Sequence, residues 1–117
     1  MIVKPNKKTF LGIFKSLYYG LRGIKISICD DPGVQKIVLL NITILLLVYC
    51  TKKKISALNI ILCFISIGVE LNNTCSEQIL DIVEPNYSPL VRDAKDTSAG
   101  YVFIIHSCII FLQFYLN

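Results

Sequence analysis

The chain has 117 residues, a formal charge of +4 and 54% hydrophobic residues, enough length for one compact domain. Its mean hydropathy of +0.62 is too high for an ordinary soluble protein and makes an integral membrane protein the working class. No nucleic-acid partner is expected.

The first predicted element covers about residues 8–29. In FLGIFKSLYYGLRGIKISI, apolar residues recur at Phe10, Ile13, Phe14, Leu17, Leu21, Ile24 and Ile28, spaced three and four apart as on one face of a helix. Lys8, Lys15 and Arg22 recur every seventh residue on another side, the pattern of an amphipathic helix lying in the membrane interface beside anionic headgroups. The rival reading is a helix packed on the protein's own spans. Asp31-Pro32 then suits a helix start, with Asp as N-cap and Pro in the first turn, so the surface helix should break between Cys29 and Asp31.

Three apolar runs follow, each close to the roughly 20 residues a helix needs to cross about 30 Å of hydrocarbon. They predict spans near 34–51, near 55–74 with the helix continuing to 83, and near 98–116. The fold class expected is therefore all-α: an N-terminal interfacial helix and three transmembrane helices in a single domain. The first run lacks a basic lead-in and a small-residue cleavage site, which argues against a cleaved signal peptide. The five cysteines are scattered, mostly in apolar runs and without metal-ligand spacing, and read as small hydrophobic filler.

Lys and Arg set the orientation. The segment before the first span has Lys4, Lys7, Lys8, Lys15, Arg22, Lys25 and Lys36, and the second loop on the same side adds Arg92 and Lys95; the first loop has Lys52, Lys53 and Lys54. The majority places the N-terminus in the cytoplasm, although the lysine triplet in the first loop pulls the other way. His106, inside the third span, reads as a neutral imidazole bonded to a neighbouring helix.

The segment GVELNNTCSEQILD holds the chemistry. Glu70, Asn73, Glu77 and Asp81 are offset by three, four and four, which puts them on one face of the second span as it leaves the membrane. The helix should stop at Pro85. From Glu70 to Glu77 the rise is about 10 Å, so Glu70 lies at or below the headgroups while Glu77 reaches water. A carboxylate at lipid depth is costly to ionise, as suits a general acid or base for a headgroup hydroxyl, whereas an exposed one stays ionised and can hold Mg²⁺ for a nucleotide. The other reading makes these acids a solvated helix end or glue between helices, in a noncatalytic membrane protein such as a holin-like pore former or an assembly factor.

The stripe is followed by a loop and then by Ala94, Lys95, Asp96, Ala99, Gly100 and Val102. Together, E-x-x-N-[ST]-x-x-E-x-x-x-D and A-K-D-x-x-A-G-x-V resemble the small prokaryotic lipid kinases, diacylglycerol kinase and undecaprenol kinase. Upstream, Phe10, Ile13, Lys15, Tyr19, Gly23, Lys25 and Asp31 fall at that family's spacing, so the likeness covers nearly the whole chain. The resemblance implies an enzyme of the bacterial inner (cytoplasmic) membrane, working as a homotrimer, that phosphorylates a membrane lipid with ATP and Mg²⁺. It implies Glu70 as catalytic base, Asp31 and Glu77 as metal ligands, and Tyr19, Asp31, Glu77, Asn86, Tyr87, Ser88, Lys95 and Asp96 as ATP-binding residues. Glu70, Asn73 and Ala99 would contact the lipid. Four positions depart from the family: Asp31 stands for a usual Glu, Val34 near a usual Phe, Gly12 near a usual basic residue, and Asp93 where a basic or neutral residue is typical.

Overall fold

A computed structural model describes residues 10–115. Lys8, the first of the three expected surface cations, lies outside the described residues, as do the outermost ends of the surface helix and third span. Four helices make up the fold: α1 (Phe10–Asp30), α2 (Pro32–Lys52), α3 (Ala57–Val83) and α4 (Pro89–Tyr115). The last three are long and apolar enough to cross a membrane, and the described residues contain no strand.

The joint between α1 and α2 is a single residue. Asp31 leaves helical geometry (φ −102°, ψ 114°) and caps α2, its Oδ1 accepting from the N–H of Gly33 at 2.7 Å and of Val34 at 3.1 Å. Proline follows at the first helical position, where its missing N–H costs nothing. Gln35 reaches back to donate to the carbonyls of Ile28 and Cys29, both at 3.0 Å, answering acceptors that the end of α1 leaves open. Beyond this joint α1 has little support from the bundle. Its apolar face, with Ile13, Phe14, Leu17 and Leu21, is exposed, which fits a helix resting on a membrane surface rather than one packed on its own spans.

At the other end of α2, Lys53 adopts the left-handed conformation (φ 55°) and its N–H bonds Tyr49 O. Ser56 then starts α3 with a reciprocal capping box to Asn59, which satisfies donors at the helix start. Helix α3 runs through the membrane and onward to Val83, where Glu84 caps it ahead of Pro85. The link to α4 is short. Helix α4 begins at Pro89, not near residue 98, so Arg92 to Asp96 lie on its first turns. Charge made that stretch read as loop, but proline at the first helical position is a helix start whatever the polarity behind it.

Helix α3 is central and packs against both α2 and α4. Its buried face carries Asn59, Leu62, Cys63, Ser66, Glu70, Asn73 and Thr74, while Leu39, Leu46, Phe64, Phe103 and Phe111 face outward. This inversion suits a lipid solvent, in which apolar side chains gain nothing by pairing with each other but a polar group must find a partner inside the protein. Asn59 donates to Gln113 Oε1 at 2.5 Å, and Gln113 donates back to Asn59 O at 3.1 Å. Asn41 of α2 donates to Ser66 Oγ at 3.0 Å. His106 lies 2.9 Å from Val102 O and 3.3 Å from Ser66 O, the expected bond to a neighbouring helix. Asn59, Ser66 and Asn73 stand seven apart, the repeat that keeps one seam facing a partner helix.

Candidate active site

The seam on α3 continues into the acidic stripe. Glu70 is buried at 8% exposure while Glu77 and Asp81 are exposed, so depth separates the carboxylates as the helical rise requires. Glu70 meets the start of α2 at Gly33. A methyl group there would lie 2.9 Å from Glu70 Oε1 and 3.0 Å from Asp31 Oδ1, so both carboxylates sit against the bare face of Gly33 and a side chain at that position would push on them. Asp31, Glu77 and His106 all lie within electrostatic reach of Glu70.

One turn further along α3, Asn73 joins the groups together. Its Nδ2 donates to Glu77 Oε1 at 3.4 Å, and its side chain lies beside the Glu70 carboxylate. Its Oδ1 accepts from Ser98 Oγ of α4 at 2.6 Å. Ser98 was not among the residues expected from sequence. The only local hint is its place one turn after Lys95 on the α4 face that meets α3.

Past Asn73 a cleft of about 290 Å³ opens between the end of α3, the link and the first turns of α4, lined by Asp81, Asn86, Tyr87, Ser88, Lys95 and Asp96 among others. The cleft thus gathers Asn86, Tyr87, Ser88, Lys95 and Asp96 in one place. Two cations serve it, both now paired with carboxylates: Lys95 with Asp81 at 2.5 Å, and Arg92 with Asp93 at 2.9 Å. Arg92 also donates to the Tyr87 hydroxyl at 3.2 Å. The start of α4 gives Asp93 a role in this chain, as the partner of the arginine beside it.

Other expected residues are not drawn in. Tyr19 is exposed on α1, its ring edge-on to Tyr18, and Ala99 is exposed on α4. Among the described residues no group of three or more His, Cys, Asp or Glu side chains forms a metal cage. The donor set still fits Mg²⁺, which takes one or two carboxylates and fills its remaining positions from water and substrate phosphates. Asp31 engages only Oδ1 in its cap, and Glu77 is exposed to the cleft side of Asn73.

The chain is 33% identical over 100 residues to a diacylglycerol kinase of Helicobacter pylori strain J99, covering 84% of this chain and 78% of the relative. It is 29% identical over 119 residues to an undecaprenol kinase of Bacillus subtilis strain 168, covering 97% and 95%. No solved structure gives a significant match. The sequence profile of prokaryotic diacylglycerol kinase matches residues 18–116, from the middle of α1 through the end of α4, and the chain belongs to that family of membrane lipid kinases.

Proposed function

We propose that the protein transfers the γ-phosphoryl group of ATP to the primary hydroxyl of a membrane lipid alcohol, diacylglycerol or undecaprenol, at the cytoplasmic face of the bacterial inner membrane. The observation that carries this reading is the placement of one buried carboxylate, Glu70, between the Asp31 cap and the Asn73–Glu77 pair, on the same helix whose end lines a polar cleft holding Arg92 and Lys95. A lipid hydroxyl arrives from the membrane side and a nucleotide from the water side, and Glu70 stands where the two meet.

In the transfer, Glu70 takes the proton from the lipid hydroxyl as its oxygen bonds to the γ-phosphorus. The bond from that phosphorus to the β–γ bridging oxygen breaks, and ADP leaves with the electron pair. Lys95 lies against the phosphates once it exchanges Asp81 for them, and Asn86, Tyr87, Ser88 and Asp96 surround the rest of the nucleotide. Glu77 and Asp31 are the side chains that would hold Mg²⁺, which when bound offsets charge on the phosphates. Asn73 keeps Glu70 and Glu77 at a fixed separation. The site is open along α1 and α4, where Tyr19 and Ala99 are exposed, and that openness supports assembly as a homotrimer in which a second copy closes the site. The majority of Lys and Arg supports a cytoplasmic N-terminus.

The test is a phosphate-transfer assay on the purified protein in mixed micelles with Mg-ATP, offering diacylglycerol and undecaprenol separately. Formation of one lipid phosphate names the acceptor. Absence of both, with the protein folded, removes the kinase reading and leaves a noncatalytic membrane protein.

A further inference from the structure

Five hydroxyls on these helices follow one habit, and Ser98 differs from them. Thr43, Thr51, Ser76, Thr97 and Ser107 each donate to the carbonyl four residues back on their own helix, the usual resting place for a helical hydroxyl in an apolar setting. Ser98 instead crosses from α4 to α3 and donates to Asn73 Oδ1 at 2.6 Å. Its target is a nearly buried amide, 9% exposed, whose other end faces a carboxylate.

An amide has one accepting and one donating end, and a carboxylate tolerates only the donating one. Glu77 therefore requires Nδ2 on its side, which turns Oδ1 toward α4. An unbonded carbonyl oxygen in that position would cost the arrangement its preference, because a buried acceptor without a donor is costly. Ser98 supplies the donor. We infer that Ser98 is a positioning residue for phosphoryl transfer: its hydroxyl locks the Asn73 amide with its N–H groups toward Glu77 and beside Glu70, and so holds the base and the metal-side carboxylate in working register. The inference deepens the kinase reading above and rests on it.

Without the hydroxyl, the Asn73 amide rotates about its terminal bond, and Glu77 loses its donor. Nucleotide contacts at Lys95, Asn86 and Ser88 are left as they were. Ser98→Ala should accordingly lower kcat by about tenfold or more, the lower end of the effect of losing a group that orients a metal or catalytic side chain, with KM for ATP held within about twofold. Ser98→Thr, which keeps the hydroxyl, should recover most of the turnover. A merely structural Ser98 would give the reverse pattern, with Ala tolerated and the bulkier Thr harmful.

A second measurement does not depend on turnover. In protein labelled with ¹⁵N-asparagine in lipid bicelles, the Asn73 side-chain amide, identified by its loss in Asn73→Asp, should show slow hydrogen exchange in the wild type and in Ser98→Thr but fast exchange in Ser98→Ala. Equal exchange in all three, or turnover of Ser98→Ala equal to wild type, overturns the assignment. If the wild type phosphorylates neither lipid, the kinase reading fails by itself, and the exchange measurement still decides whether Ser98 locks Asn73.

Discussion

Two stretches of one face of α3 are polar, and they differ in how completely they satisfy themselves. Along the span Asn59, Ser66 and their partners Gln113 and Asn41 are amides and a hydroxyl with donors matched to acceptors across the helices. At the boundary, Glu70, Glu77 and Asp31 bring acceptor oxygens in excess of the donors that Asn73 and the start of α2 provide. The first stretch is closed and holds helices together. The second is left wanting a cation or a proton, which is the condition for chemistry. Helix glue and a reactive site are thus both present on α3, and hydrogen-bond balance tells them apart.

Substitution should separate the two stretches most sharply at Glu70. Glu70→Gln keeps the shape and removes the base, and turnover should fall by about 10²–10⁴-fold, while Mg-ATP binding measured by fluorescent nucleotide displacement stays within about twofold. Equal loss of binding would transfer Glu70 to the metal side.

A loss of tenfold or more is expected for Asp31→Asn, read as turnover across a Mg²⁺ titration. The amide oxygen of Asn still caps α2, so an unchanged Mg²⁺ dependence would reduce Asp31 to its cap. Asp31→Glu should not exceed wild type, because the cap geometry and bare Gly33 are fitted to the shorter arm.

Smaller effects are expected in the cleft. Lys95→Ala should raise KM for ATP several-fold more than KM for lipid, since a cation facing phosphate is lost. Asp81→Asn should lower KM for ATP by about two- to fivefold, the equivalent of an exposed ion pair worth about 0.5–1 kcal/mol that no longer competes for Lys95. A shift confined to the lipid would break the nucleotide assignment of the cleft.

The smallest effect on chemistry belongs to the closed stretch. Asn59→Leu should cost about 0.5–2 kcal/mol of stability for its lost interhelical bonds, seen as a lower midpoint in detergent unfolding, with turnover per folded molecule unchanged. A loss of turnover at full stability would erase the distinction between the two stretches.

Much of this was legible in the chain because the signals are local. Helical spacing gave α1 its apolar face, Asp31-Pro32 gave the break, and the three-four-four offsets put Glu70, Asn73, Glu77 and Asp81 on one side of α3. The start of α4 was hidden because hydropathy tracks lipid contact, and Arg92 to Asp96 stand in water on a helix that has already begun. Ser98 and Gly33 were hidden for another reason. A hydroxyl and a missing side chain acquire their roles only from what another helix places opposite them, Asn73 for one and Glu70 for the other. The Asn59–Gln113 pair joins residues 54 positions apart, which neither neighbourhood can report.

The single-residue joint at Asp31 also has a mechanical meaning. A flexible linker would let α1 ride up and down on the membrane without disturbing anything below it, but here one residue is at once the hinge, the cap of α2 and a wall of the site. With no slack between them, any shift of the surface helix against the headgroups would pass straight to Asp31 and the first turn of α2, with no linker to absorb it.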